Sequence, residues 1–71
     1  MNNERLKTLG FNIKIMRLKQ GISQEKLAET IGVSNDTISN IENGHHKASI
    51  LNIIDIARTL NVDINEILKD I

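Results

Sequence analysis

Seventy-one residues make one small domain at most, and a 39% apolar content with thirteen isoleucines is enough for a single core without covalent staples. The chain has no cysteine, which excludes a disulfide framework and any thiolate metal site and fits a reducing, cytoplasmic setting. No run approaches the roughly 18 apolar residues of a membrane span and no signal-peptide pattern opens the chain, so a soluble protein with no membrane partner is expected. Nine basic residues balance nine acidic ones, but unevenly: residues 1–26 carry a net +4, residues 27–47 a net −2 and residues 48–71 a net −2. Fields rather than totals steer charged partners, so the basic first third matters more than the zero sum.

The absence of proline, a single aromatic residue and the lack of alternating β-branched runs with hairpin turns argue against strands. Glycine, serine, asparagine and aspartate instead punctuate the chain at helical intervals. Asn2 or Asn3 caps a first helix running to about Gln20, where Gly21 permits a left-handed exit. Leu9, Ile13 and Met16 lie at spacings of four and three, the period of a core-facing stripe. Ser23 caps a second helix from Gln24 to about Ile31, with Glu25 favourable in its first turn and Leu27, Ala28 and Ile31 buried; Gly32 ends it. Ser34 caps a third helix through Asn43, closed by Gly44, with Ile38 and Ile41 inward. Ser49 caps a fourth, with Ile50, Ile53, Ile54, Ala57 and Leu60 inward and Asn61 as its left-handed terminus. Asp63 and Glu66 form a capping-box variant for a short last helix holding Ile67 and Leu68. The expectation is an all-α, compact five-helix bundle, a single domain over 1–71 with no linker, repeat or low-complexity tract.

The most informative stretch is S-Q-E-K-L-A-E-T-I-G-V-S-N-D-T-I-S-N-I-E-N-G, residues 23–44. Two short helices joined by a turn of about three residues containing Gly32 match the helix-turn-helix unit. Ala28 is small where the helices cross, and Val33 plugs the turn. With Ser34, Ile38 and Ile41 on the buried side of the third helix, Asp36, Ser39, Asn40 and Asn43 point away, flanked by Asn35 and Thr37. That face is short and polar, fit for a major groove about 12 Å wide, where Asn reads adenine, Asp accepts from cytosine and the Thr methyl packs on thymine. Read on composition alone, the same face is an ordinary solvated helix surface.

Three phrases in register carry a further resemblance: I-K-I-M-R-L-K-Q-G-I-S-Q-E-K-L-A, G-V-S-N-D-T-I-S-N-I-E-N-G and I-A-R-T-L-N-V-D-I-N-E-I-L. From about Leu9 to Leu68 the chain resembles the Cro/phage-repressor (XRE-type) helix-turn-helix family, which implies the phage-repressor type of DNA-binding domain. By that resemblance Gln24, Asn35, Asp36, Thr37 and Asn40 occupy base-reading positions. It also implies an ion pair between Arg17 and Glu42 that fixes the third helix to the first.

Backbone contacts to double-stranded DNA are expected from Lys14, Lys19, Ser34, Ser39, Asn43, His45, His46 and Lys47, with Gln24 and Ser34 at helix N-termini that attract phosphate. If the loop at His45 and His46 contacts DNA, histidine protonation raises affinity as pH falls. Adjacent loop histidines do not converge as an i, i+4 helical pair does, so no metal and no cofactor are expected. Ser, His and Asp have ordinary uses as caps and loop residues, and there is no glycine-rich phosphate loop or paired-carboxylate cleft; an enzyme is not expected.

Relatives often carry Arg or Lys where this chain has Asn35 and Asn40, and Asp36 adds negative charge, so a shallow salt dependence is expected. A single module covers little DNA, which favours a homodimer. Leu51, Ile64 and Ile71 exceed the core pattern and are the candidate dimer surface. Phe11, Ile15 and Leu18 form a second stripe on the first helix; the last helix is expected to cover Phe11 and Ile15. The expected function is a sequence-specific transcription regulator, a repressor rather than an activator, on a palindromic operator. The alternative is a protein-interaction adaptor or antitoxin-like module on the same fold, with a protein partner and weak DNA binding.

Overall fold

The computed structural model describes residues 3–45 and 47–71, so the expected cap at Asn2 and the placement of His46 lie outside the described residues; the side chain of Asn3, the other expected cap, does too. Five helices follow in order: α1 (Asn3–Lys19), α2 (Gln24–Ile31), α3 (Asn35–Glu42), α4 (Ile50–Leu60) and α5 (Ile64–Ile67), with no strand among the described residues.

The punctuation works as the side-chain chemistry requires. Ser23, Ser34 and Ser49 each sit in extended backbone, and their hydroxyls accept the N–H of Lys26 (3.0 Å), Thr37 (3.1 Å) and Asn52 (3.1 Å). Each thereby satisfies one of the N–H groups that a helix start leaves unpaired. Asp63 and Glu66 close a reciprocal capping box at α5. Gly32 (φ 78°) and Asn61 (φ 55°) end α2 and α4 in the left-handed region.

The core is aliphatic. Leu9 and Ile13 of α1, Leu27 and Ala28 of α2, Ile38 and Ile41 of α3, Ile53, Ile56, Ala57 and Leu60 of α4, and Ile67 of α5 form one buried cluster. Gly10 decides how closely α1 approaches α3: a Cβ there would collide with the carbonyl oxygens of Ile41 and Glu42. Gly44, at φ 73°, approaches Lys7 less closely, where a Cβ would stand 2.8–2.9 Å from its atoms. The end of α3 therefore rests on the backbone of α1 through two glycines.

Several apolar assignments are corrected. Ile56 is fully buried whereas Ile50 is 63% exposed and Ile54 only half-buried. Apolar residues cover so much of α4 that their pattern does not choose a face; packing selects 53, 56, 57 and 60. Leu68 caps α5 and stays exposed. Phe11 is 58% exposed, Leu18 is exposed and Ile15 is half-buried, so α5 does not cover that stripe as expected. Instead Asn12 meets the end of α5, its Nδ2 donating to the carbonyls of Ile67 (2.9 Å) and Lys69 (2.8 Å). Two turns earlier, Arg5 Nε donates to the Ile71 carbonyl at 2.8 Å.

Candidate nucleic-acid interface

The unit formed by α2 and α3 is held together at its turn by local bonds. Val33 N–H donates to the Ala28 carbonyl at 3.0 Å, carrying the chain from the left-handed Gly32 into the Ser34 cap. Ala28 is buried at the crossing and Val33 packs against the core from the turn. Two helices of eight residues are thus fixed relative to one another by backbone geometry and small side chains.

A buried polar cluster fixes the same unit to α1. Arg17 donates through Nε to Glu42 Oε2 (2.7 Å) and through Nη2 to Oε1 (3.0 Å), a two-bond fork with side chains only 7% and 1% exposed. Its remaining Nη1 donates to the Ile22 carbonyl at 2.7 Å, tying in the turn between α1 and α2. Gln24 Nε2 donates to Glu42 Oε1 at 3.0 Å. One carboxylate at the end of α3 therefore gathers the C-terminal turn of α1 and the first residue of α2. Among the described residues no buried side-chain polar atom lacks a partner.

The five base-reading candidates occupy different settings. Asn35 and Asp36 are exposed in the first turn of α3, while Thr37 and Asn40 are half-buried. The Thr37 hydroxyl lies 2.8 Å from Ser34 Oγ, so it is engaged at the cap. Gln24 is half-buried with its amide nitrogen on Glu42, a contact that sequence reasoning did not anticipate. Nothing in the spacing of Gln24 and Glu42 announces it, because it exists only once α2 and α3 are folded.

Of the backbone candidates, Lys14, Lys19, Ser34, Asn43, His45 and Lys47 are exposed and Ser39 is half-buried. Ser34, set on the buried side by the helical wheel, is an exposed cap instead. Lys26 pairs with Glu29 at 3.6 Å across an exposed turn of α2. Of the dimer candidates, Leu51 is 68% exposed, but Ile64 and Ile71 are half-buried against the monomer's own core. Among the described residues no cluster of His, Asp and Glu has the geometry to hold a metal ion, and no helix is long and apolar enough to cross a membrane.

Comparison with known proteins places this geometry. The helix-turn-helix family profile matches residues 13–67. The chain is 34% identical over 55 residues to the HTH-type transcriptional regulator YgzD of Bacillus subtilis, covering 78% of this chain and 83% of that one. It is 36% identical over 59 residues to the ImmF control region 10 kDa protein of Bacillus phage phi105, covering 83% and 66% respectively. Regulators of Sinorhizobium medicae and Rhizobium meliloti match at 31% identity, and the chain spans only 45% of their length. Among solved structures, the restriction-modification controller protein C.AhdI of Aeromonas hydrophila superposes with a TM-score of 0.84 at 29% identity, covering 87% of this chain and 94% of that one. The chain belongs to the XRE-type helix-turn-helix family of DNA-binding transcription regulators.

Proposed function

We propose that this regulator is a repressor that binds a palindromic operator as a homodimer, with α3 in the major groove of each half-site. The observation that carries the reading is the buried Arg17–Glu42–Gln24 cluster, which locks a short polar helix on an otherwise aliphatic core. A desolvated charge pair contributes little or negative net stability, so its presence here supports a role in fixing how α3 is presented. On this reading Asn35 and Asn40 make the adenine contacts and Asp36 accepts from cytosine. Thr37, its hydroxyl engaged by Ser34, offers its methyl to thymine. Lys14, Lys19, Lys47, Ser34, Ser39, Asn43, His45 and, beyond the described residues, His46 position the module on phosphates, which supply affinity rather than sequence information.

Gln24 has a second role here: with its amide nitrogen on Glu42, it orients the network as well as facing DNA. The second copy is assigned to the exposed Leu51, with Ile50 beside it, since Ile64 and Ile71 have intramolecular partners. Repression follows from competition with polymerase for the same DNA. Similarity to the restriction-modification controller protein C.AhdI and to a protein of a phage control region supports a regulatory role of this kind.

Selection from a random duplex library, with recovered sites measured at two salt concentrations, tests this. A palindrome with half-sites about 34–36 Å apart is the expected product. Asn40→Ala should then cost about 1–3 kcal/mol, concentrated at one base pair. Recovery of no motif, or an Asn40→Ala protein that binds the best site as wild type does, overturns the groove assignment. That result shifts the function toward the adaptor reading, which the absence of any Lys or Arg on α3 already favours.

A further inference from the structure

The α1 stripe that α5 leaves uncovered needs an occupant. Phe11, Ile15 and Leu18 follow at spacings of four and three, one line along the helix, with Phe11 58% and Leu18 53% exposed. Leu9 and Ile13 take the opposite side into the core, so the line is not the edge of the buried face. Asn12 clamps the turn carrying the exposed Leu68 and Lys69 alongside the same helix.

Exposed lysines border the line. Lys7 is four residues before Phe11, Lys14 three after it, and Lys19 four after Ile15, all neighbour spacings on a helix surface. Lys69 adds a fourth charge from the clamped turn. The acidic groups nearby are Glu4, at the N-terminal end of the line, and Asp70 beyond Lys69. An apolar ridge within a predominantly basic rim is not how a solvated helix face is built.

We propose that this face of α1 docks an acidic amphipathic helix of another protein. Charge selects that occupant. A second copy is disfavoured, because the two-fold pairing that sets Phe11 against Leu18 is centred beside Lys14 and brings the two Lys14 side chains together. Area agrees: a standard interface buries roughly 800 Å² per partner, about a sixth of this chain's 4583 Å² surface, and one ridge does not supply that. A helix anchored at i, i+3 or i+4 and i+7 needs less and matches the ridge's own spacing. Its apolar residues lie outside the DNA face, while Lys14 and Lys19 of the rim are shared with the phosphate contacts proposed above, so Phe11 and Leu18 are the residues that separate the two readings.

The test is fluorescence anisotropy with a labelled peptide of about 18 residues, long enough to form helix, having a leucine face and glutamate flanks. Its twin carries the same leucine face and lysine flanks. The acidic peptide should bind, weaken as salt rises, and lose at least tenfold in affinity with Phe11→Ser or Leu18→Ser; the basic twin should not bind. Circular dichroism and binding to the selected duplex should be unchanged in both variants, separating a lost dock from a lost fold. Failure of the acidic peptide to bind, equal binding of both peptides, or indifference to Phe11→Ser overturns the proposal. So does a wild-type dimer that Phe11→Ser dissociates in sedimentation, which makes the occupant a second copy. Binding of phosphatidylserine vesicles through Phe11 in place of the peptide likewise assigns the face to a lipid surface.

Discussion

Among the described residues Arg17 and Glu42 are the charged side chains that lie buried beside the aliphatic core, and their geometry explains how they are tolerated. Both carboxylate oxygens accept from Arg17, Oε1 also accepts from Gln24, and the guanidinium's spare nitrogen reaches Ile22. A desolvated ion is costly when alone and bearable when every donor and acceptor is matched. Glu42→Ala leaves Arg17 buried without its counter-charge and should cost about 3–5 kcal/mol in urea unfolding; Arg17→Ala should cost a similar amount. The double replacement Arg17→Met/Glu42→Leu should lose far less than the two single losses combined. Additive losses in that cycle would mean that the pair is not coupled as the distances imply. If the double variant folds but binds the operator poorly, the pair serves to place α3 rather than to hold the fold.

Two glycines of α1 and its exit differ in kind, and substitution separates them. Gly10 is inside a helix, where alanine ordinarily stabilises by about 0.5–1 kcal/mol. Here the carbonyls of Ile41 and Glu42 occupy the space of the methyl group, so Gly10→Ala should destabilise instead, by about 1–3 kcal/mol. Gly21 has open space around it but sits at φ 69°, where a side chain costs about 1–2 kcal/mol through backbone strain. Asparagine tolerates that region, as Asn61 does at φ 55°, so Gly21→Asn should recover part of what Gly21→Ala loses. Gly10→Asn should be worse than Gly10→Ala. Thermal melts of the four variants check the pattern, and a stabilised Gly10→Ala would show that α1 does not rest on α3 at backbone distance.

At the scale of the molecule, charge distribution replaces net charge as the determinant of DNA affinity. The chain sums to zero, yet Lys14 and Lys19 project from α1 and Lys47 from the loop after α3, while α3 carries only Asp36 and Glu42 as charges. On the proposed docking, phosphate attraction comes from a small number of flanking lysines and helix ends. On the selected operator, Lys14→Gln should lower the slope of log K against log salt by roughly 0.9 and weaken all sequences alike. A changed base preference with an unchanged slope would move Lys14 from the phosphates to the groove.

The sequence by itself determined the helices, the caps of α2 to α5 and the family. Ser23, Ser34, Ser49 and the Asp63–Glu66 box act within four residues, as do the left-handed exits at Gly21, Gly32 and Asn61, so local spacing contains their physics. The buried side of α3 was legible in part: Ile38 and Ile41 mark it, but Ser34 is exposed and Ser39 and Asn40, set to point away, are half-buried. On α4 and α1 apolar residues exceed what one face can bury. Whether Ile50 or Ile56 goes inward, and whether Phe11 is covered, depended on which neighbour arrives. The Gln24–Glu42 bond and the backbone contact at Gly10 were likewise decided only by tertiary structure. Both join residues far apart in the chain through angles set by the whole packing, and no local periodicity encodes an interhelical distance.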